Sequence, residues 1–461
     1  MNTGFADAWK RGMSAFFNRI ASVSRPLLII VLVGIIVRLI VGFFATYTFD
    51  IYHWGVIVSN INSGHGLYEL DGYYYTPPWG YILGTISTVG EFFGFDNIGE
   101  RVTDALMTEQ YGWHFTATLT TMPFIILMKI PLLLCDLAVA YVIRWIVIER
   151  CNDIKKGNIA FALWFLCPLT IVAGGVSVMF DTFTVLMLLL CIVFMMQDRG
   201  FLAGTMFSLA VLMKFFPAFL VFVLIAYILK KHKDNGLATR KLVETMTGAA
   251  VMFLIVMLPQ IINGELSEAF SFLTSRASSG MGAGLGVIER YGSVLAYVIF
   301  AVVSVLLAFR MYKCDSGHDL NDTLMFVLLL NVTILFLYPS TPQYMLLILP
   351  FLIYHAVVRD WNITLAGSVL VIGAVIFALA SNFTLLLSLS EFTGIVDMAS
   401  LMSTIDLFQS DVLGLSPMAW IFYVGGALQY VGTLLVLLHV CKPFLKKKNT
   451  ETESRDTQHA N

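Results

Sequence analysis

Long apolar runs recur along the whole chain and are separated by shorter polar stretches. A helix needs about 20 mostly apolar residues to cross a bilayer, and about twelve segments approach this length. These segments are residues 26–46, 120–147, 159–175, 182–197, 201–214, 216–230, 242–262, 292–311, 323–338, 344–358, 363–381 and 417–441. The pattern predicts an all-α polytopic membrane protein with about twelve transmembrane helices.

Lys and Arg are distributed unevenly between the two sets of loops. If the N-terminal tail is cytoplasmic, the loops on that side contain most of the 28 Lys and Arg residues, as the positive-inside rule favours. We therefore expect a multi-pass protein of the plasma membrane with both termini in the cytoplasm. Residues 1–25 form an N-terminal tail, residues 26–441 a single membrane domain, and residues 442–461 a basic, then polar tail without fixed structure.

The first outer loop, residues 47–117, is long for a transporter. Its stretch IYHWGVIVSNI has apolar positions at helical spacing, which is typical of an amphipathic helix lying on the membrane. The next stretch, YYYTPPWGYI, has the aromatic residues of an interfacial belt. We expect this extracytoplasmic loop to contain interfacial helices.

Two spans are interrupted by residues that break helices. Lys214 and Pro217 lie within the stretch MKFFP, and Pro168 lies in the stretch CPLTIVAGGVSVMFD, which ends at Asp181. Backbone groups freed at such breaks need partners in protein or in a water-filled cavity, so both breaks are candidate sites. Two simpler alternatives remain open: Lys214 extends to the outer head groups, and Asp181 only caps the next helix.

Three further charges, Arg38, Lys129 and Asp136, lie inside apolar spans. Lys129 and Asp136 are seven residues apart, which places them on one helix face. Pairing of Asp136 with Lys129 or Arg38 would reduce the cost of burying the charges. We expect a structural role for Asp136.

Asp50 follows directly on the first span, so a helix holds its carboxylate near the outer surface, where a general base is useful. The simpler alternative is a helix-end acid solvated by water. His53, His65 and His114 are potential metal ligands beside Asp50, but their spacing is not that of a metal site. We expect no metal ion or other cofactor.

A second outer loop, residues 263–291, contains the glycine-rich stretch SSGMGAGLG. It lacks a nucleotide-binding pattern, so we expect a flexible lid. Arg276 and Arg290 are its available cations.

Composition narrows the class of protein further. Hydrophobic residues make up 58% of the 461 residues and charged residues 13%, with a mean hydropathy of +0.82, which excludes a soluble globular domain. A net charge of -2 without a long basic run gives no indication of a nucleic-acid partner. The six cysteines have no CxxC spacing, so neither a disulfide framework nor a thiolate metal site is indicated.

Several segments together resemble one family of membrane enzymes. They are TFDIYHWGVI, GLYELDGYYYTPPWGYIL, KIPLLLCDLAVAYVI, ALWFLCPLTI with FDTFTVLMLL, LMKFFPAFL and STPQYMLLILPFL. In this order they resemble the polyprenyl-phosphate-sugar-dependent glycosyltransferases of the GT-C class, especially the mannosyltransferases related to the catalytic subunit of GPI mannosyltransferase I and their prokaryotic relatives. The resemblance covers most of residues 45–355.

The resemblance implies a GT-C-like fold and an inverting transfer of a hexose, with mannose favoured. The donor would be a polyprenyl-phosphate sugar, such as a dolichol phosphate sugar, bound from the extracytoplasmic side. The acceptor would be a hydroxyl group on a lipid, glycan or protein, and membrane lipids would be the other partners. The alternatives are a secondary transporter, which predicts two similar halves, and a lipid-linked-sugar flippase or scaffold.

The resemblance also assigns roles to residues. Asp50 would be the general base, although relatives often have a second acid where this chain has Tyr52. Lys214 is the first choice for the donor phosphate because lysine suits phosphate as a point charge, with Arg276 or Arg290 second. The donor or acceptor pocket is expected to include Tyr52, His53, Tyr73, Tyr75, Trp79, Asp181, Gln343 and Tyr344.

Overall fold

The computed structural model describes most of the chain at the level of individual residues. The described residues are 24–70, 72–95, 98–99, 106–110, 113–117, 119–271, 287–314, 319–337, 340–381, 384–409 and 415–458.

Helices account for nearly all of the regular structure. The α-helices are α1 Arg25–Phe44, α2 Thr48–Asn62, α3 Pro77–Phe92, α4 Met122–Cys151, α5 Ile154–Phe165, α6 Pro168–Ile171, α7 Asp181–Met196, α8 Gly200–Met213, α9 Val221–Lys231, α10 Ala238–Asn263, α11 Leu266–Ala269, α12 Val287–Tyr312, α13 Leu320–Leu335, α14 Leu349–Val358, α15 Ile363–Ala380, α16 Leu387–Thr393, α17 Met398–Gln409 and α18 Pro417–Gln458. A π-helical turn, Val172–Val176, and two 3₁₀ helices, Phe216–Leu220 and Pro342–Leu347, complete the helical structure.

The fold confirms an all-α polytopic membrane protein. Each of the twelve predicted apolar segments corresponds to one helix or to two or three consecutive helical elements. Among the described residues, six helices are long and apolar enough to cross a membrane, and the pair on either side of Pro168, bent by 46°, would make a seventh. The other apolar helices have 10–17 residues. They include α7 and α8, which flank the site described below.

The predicted outer loop contains α2, over the stretch that its pattern predicts to be helical, and a second helix, α3, that begins at the two prolines. It also contains a hairpin that the sequence analysis did not predict. Strands β1 Leu106–Gln110 and β2 Trp113–Ala117 pair antiparallel, with Leu106 opposite Ala117.

Packing divides the chain into two compact units, where the sequence predicted one membrane domain. The first unit comprises Met1–Phe215, Val243–Phe272 and Thr384–Ile405; the second comprises Phe216–Leu242, Leu273–Phe383 and Asp406–Asn461. In the second unit, α15 and α18 make the most extensive contact. Their backbones are so close that a Cβ atom on Gly373 would lie 2.2 Å from the backbone nitrogen of Gln429.

The first unit has an apolar core built from α2, α3, α4 and the turn before α7. A proline lies in the first turn of both α3 and α4. The large buried members of the core include Ile51, Trp54, Ile57, Trp79, Leu83, Phe124, Phe180 and Met213. This core fixes α2 against the end of α8, and so it positions the polar residues of the site.

The last helix, α18, is described as far as Gln458. The helix therefore extends from the last apolar segment through most of the polar tail.

Candidate functional site

The joint between α1 and α2 is fixed by hydrogen bonds from other parts of the first unit. Lys129 Nζ donates to the carbonyl oxygens of Gly42 (2.5 Å) and Ala45 (3.2 Å) and to Thr46 Oγ1 (2.7 Å). The Tyr47 N–H donates to the carbonyl of Val176 (2.8 Å), in the π-helical turn. Lys129 thus satisfies carbonyls that the end of α1 leaves without helical partners, and this joint sets the start of α2.

The buried charge of Asp136 has a partner, as predicted. Arg38 Nη2 lies 3.2 Å from Asp136 Oδ2, and the same guanidinium donates to the Phe165 carbonyl (2.5 Å) and to Thr170 Oγ1 (3.0 Å). The structural pairing of Asp136 is therefore confirmed with Arg38 as the partner.

The break before α7 brings Asp181 to the site. After the π-helical turn, Val178 adopts a left-handed conformation (φ 53°) and Phe180 precedes the first helical residue. Asp181 is that first residue, and it does not cap the helix with its side chain. The alternative of a simple capping role is therefore wrong. Asp181 is buried, at 5% exposure.

The break after α8 brings Lys214 to the same place. Lys214 is extended (φ −147°, ψ 134°), and the 3₁₀ helix Phe216–Leu220 follows. Its Nζ lies 3.8 Å from Asp181 Oδ2, and it lies over the rings of Phe180 (4.3 Å) and Tyr75 (4.8 Å). Lys214 is only 6% exposed, so the alternative in which it extends to the lipid head groups is wrong.

Asp50 is the second carboxylate of the cluster and lies in the first turn of α2. It is 8% exposed, and its Oδ2 atom has no hydrogen-bond partner among the described residues. Burial raises the pKa of Asp50 from 3.8 to about 8; the charge of Lys214 lowers this pKa and that of Asp181 raises it. The carboxyl group therefore holds a proton at neutral pH, and the alternative of a water-solvated acid is wrong.

Aromatic rings form one side of this cluster. Trp54 contacts the rings of Tyr75 (5.9 Å) and Phe180 (6.0 Å), and Trp79 stacks on Phe180 at 4.7 Å. Among the described residues, the indole N–H groups of Trp54 and Trp79 have no acceptor. Buried donors without an acceptor are uncommon, so these two indole groups are available to a bound polar group.

Tyr52, His53 and Tyr73, all predicted pocket residues, lie near these rings. The Tyr73 hydroxyl donates to the Thr76 carbonyl (2.8 Å) and accepts from the Gly80 N–H (2.8 Å), so it shapes the turn before α3. His53 packs between Trp54 (4.9 Å) and Tyr74 (5.4 Å), and burial lowers its pKa. Tyr52 is half-buried on α2.

The remaining predicted residues belong to the second unit or lie outside the described residues. Gln343 and Tyr344 belong to the second unit, where Tyr344 packs on Phe216 at 4.7 Å. Arg276, most of the predicted lid and the side chain of Arg290 lie outside the described residues.

Phe180 was missed by the sequence analysis although it contacts Lys214. Its only sequence signal is its place immediately before Asp181, on the helix break. Aromatic residues are 13% of the chain, so one phenylalanine does not stand out.

The geometry defines a polytopic membrane protein with a buried polar site assembled at helix breaks. One ammonium, two carboxyl groups and several aromatic faces meet there. Such a site is suited to binding a small polar group; among the described residues, no group of three or more His, Cys, Asp or Glu is suited to a metal ion.

A sequence model of the family described as "GPI transamidase subunit PIG-U" matches residues 109–279 of the chain. The matched region is more than a third of the chain and includes Asp181 and Lys214, whereas Asp50 precedes it. No curated protein is significantly similar to the chain.

This match corrects the predicted activity. The matching family is described as a subunit of a transamidase, not as a glycosyltransferase. The predictions of a mannosyltransferase and of a polyprenyl-phosphate sugar donor were therefore wrong, and so was the transporter or flippase alternative. The resemblance drawn from the sequence and the family match agree in one respect: both indicate a family of GPI-related membrane proteins. Placement in the plasma membrane and the orientation of the termini stay predictions.

Proposed function

We propose that the chain is a membrane subunit of a complex similar to the GPI transamidase, and that its site binds the polar head of a glycolipid. The match over residues 109–279 to a GPI transamidase subunit supports the first part. The position of Asp181 and Lys214 inside that region supports the second. In this role the chain binds and positions a substrate, while partner proteins supply the reacting groups.

One observation carries the proposal: a lysine is buried between a carboxylate and two aromatic rings at the end of a short apolar helix. An intramembrane charge is costly and is a functional-site candidate by default. We assign the phosphate of the glycolipid to Lys214, because lysine binds phosphate as a point charge. Tyr52, His53, Tyr75 and Trp79 are the proposed neighbours of the bound head group.

The test is to identify the lipid that the protein retains. Full-length tagged protein is purified in mild detergent, and the bound lipids are extracted and identified by mass spectrometry. We expect a phosphate-bearing glycolipid with the wild type, and recovery about tenfold lower with Lys214→Met, because a charge-assisted contact is lost.

The matched control is Lys155→Met, which removes an exposed lysine from α5. It should retain the glycolipid at the wild-type level. Failure of the wild type to retain any glycolipid, or equal recovery from Lys214→Met, would remove the binding role. Proteins recovered with the tagged chain should include a transamidase-type enzyme; recovery of the chain alone would contradict the subunit role.

A further inference from the structure

The C-terminal end of α3 exposes three neighbouring phenylalanines on the first unit. Phe92 is 84% exposed and Phe93 65%, and Phe95 is exposed beside them; we call these three residues the phenylalanine tip. Other residues of α3 are buried, with Trp79 and Ile86 in the apolar core. A cluster of exposed apolar side chains of this kind marks a surface that binds a membrane or another protein.

A fixed backbone turn holds the phenylalanine tip in place. Gly94 adopts a left-handed conformation (φ 77°), and its N–H donates to the Glu91 carbonyl (2.9 Å). The Phe95 N–H donates to the Gly90 carbonyl (3.0 Å). These two hydrogen bonds form a Schellman motif, which ends a helix in a defined conformation. After the turn the chain returns to α3 at Gly90, where a Cβ atom would lie 2.3 Å from Ile98 Cδ1, so the tip is fixed on both sides.

Helix α2 does not supply a comparable surface. Its apolar spacing predicted a helix lying on the membrane, but Ile51, Trp54 and Ile57 are buried in the apolar core of the first unit. These side chains contact protein. Of the two helices in the predicted outer loop, α3 is therefore the one that ends in an exposed apolar cluster.

Tyr81 links α3 to α10, a helix that is long and apolar enough to cross the membrane. The Tyr81 hydroxyl donates to the Val256 carbonyl (2.9 Å) and lies 3.3 Å from Gln260 Oε1. In the same part of α10 the side chains of Leu258 and Ile262 are exposed, as expected for positions of a spanning helix that face lipid. Because Tyr81 holds α3 against this part of α10, the bilayer is next to α3.

We propose that the phenylalanine tip inserts into the lipid bilayer beside α10 and anchors the predicted outer loop to the membrane. Interfacial helices bury Phe and Leu side chains about 5–10 Å into the boundary between head groups and acyl chains. The α3 sequence has one charged residue, Glu91, so little charge opposes insertion. The tip lies at the opposite end of α3 from Trp79, whose ring stacks on Phe180 beside the polar site. The anchor therefore holds the helix that begins at the site at a fixed depth.

Photocrosslinking at the tip tests the proposal. A photoreactive phenylalanine derivative replaces Phe93 in the full-length tagged protein, which is irradiated in its native membrane and then purified. Ile262 on α10 is the lipid-facing reference position, and Glu69, an exposed residue of the predicted outer loop, is the water-facing one. Phospholipid adducts at position 93 should exceed those at position 69 by about tenfold, because burying one phenylalanine is worth at least that factor, and should approach those at position 262. Adducts mainly with protein at position 93, or a lipid yield no higher than at position 69, would overturn the inference.

Variants test whether the tip anchors the helix. The double variant Phe92→Ser with Phe93→Ser replaces exposed side chains, and amide hydrogen exchange of residues 89–95 is measured in phosphatidylcholine vesicles. Exchange should be about tenfold faster than in the wild type, because the end of α3 opens more often without the lipid contact. The control, Thr85→Ser with Thr88→Ser, changes exposed residues of the same helix and keeps their hydrogen bonds to the preceding turn. It should exchange as the wild type does. Unchanged exchange in the phenylalanine variant would contradict the anchoring role.

Discussion

Asp50 and Asp181 are both buried, and among the described residues neither Oδ2 atom has a hydrogen-bond partner, although Asp181 Oδ2 lies 3.8 Å from Lys214 Nζ. The three residues come from α2 and from the breaks that flank α7 and α8, which lie far apart in sequence. Lys214 and Asp181 were candidates because they lie at interruptions of the apolar pattern, and Asp50 was one because it directly follows the first span. The aromatic partner Phe180 was not, since nothing in a sequence rich in aromatic residues tells which ring packs on a given lysine.

The raised pKa of Asp50 predicts how stability depends on pH. Between pH 3.8 and about 8 the folded protein keeps a proton that the unfolded chain has lost. The free energy of unfolding therefore falls as pH rises through this range. We expect the melting temperature of the wild type in detergent to fall more steeply from about pH 5 to about pH 8 than that of Asp50→Asn.

Asp234→Asn is the control for loss of one acidic group, and its melting profile should follow the wild type. An Asp50→Asn profile as steep as that of the wild type would show that Asp50 is not protonated in the folded protein.

Breaks and close contacts of helices determine where the site lies. Lys129 closes the end of α1, and the N–H of Tyr47 meets the π-helical turn before α7. Prolines and glycines predicted the breaks, because they interrupt helices through local geometry. Apart from the pairing of Asp136 with Arg38, contacts between distant helices were not predicted, since hydropathy shows that a segment is buried but not what covers it.

Helix α8 approaches α10 at Gly204. A Cβ atom there would lie 1.8 Å from the Thr245 carbonyl oxygen, so Gly204→Ala must shift one helix. We expect a loss of about 1–3 kcal/mol in the free energy of unfolding. Thermal unfolding in one detergent is the measurement.

Gly84→Ala on α3 is the matched control. A Cβ atom at Gly84 meets nothing within 4 Å, and alanine is the better helix former by about 1 kcal/mol. This variant should be neutral or slightly stabilising. Equal destabilisation by both variants would contradict the close contact between α8 and α10.

At the scale of the whole molecule, the polar site belongs to the first of two units. The hydropathy pattern predicted the all-α membrane fold because every span must satisfy its backbone internally. The division into two units was not predicted, because each unit combines segments distant in the chain. The predicted activity was wrong because it rested on short motifs that resemble those of mannosyltransferases, whereas the family model that matches residues 109–279 describes a transamidase subunit.

The central claim is that a glycolipid head group lies beside Lys214, and site-specific photocrosslinking within the intact complex tests it most directly. A photoreactive aromatic residue replaces Tyr75, whose ring lies 4.8 Å from Lys214 Nζ. The same residue replaces Leu365 as the control, a position 77% exposed in the second unit. We predict a phosphate-bearing glycolipid adduct at position 75 that disappears with Lys214→Met, and only bulk lipid adducts at position 365. Identical adducts at both positions would contradict the account.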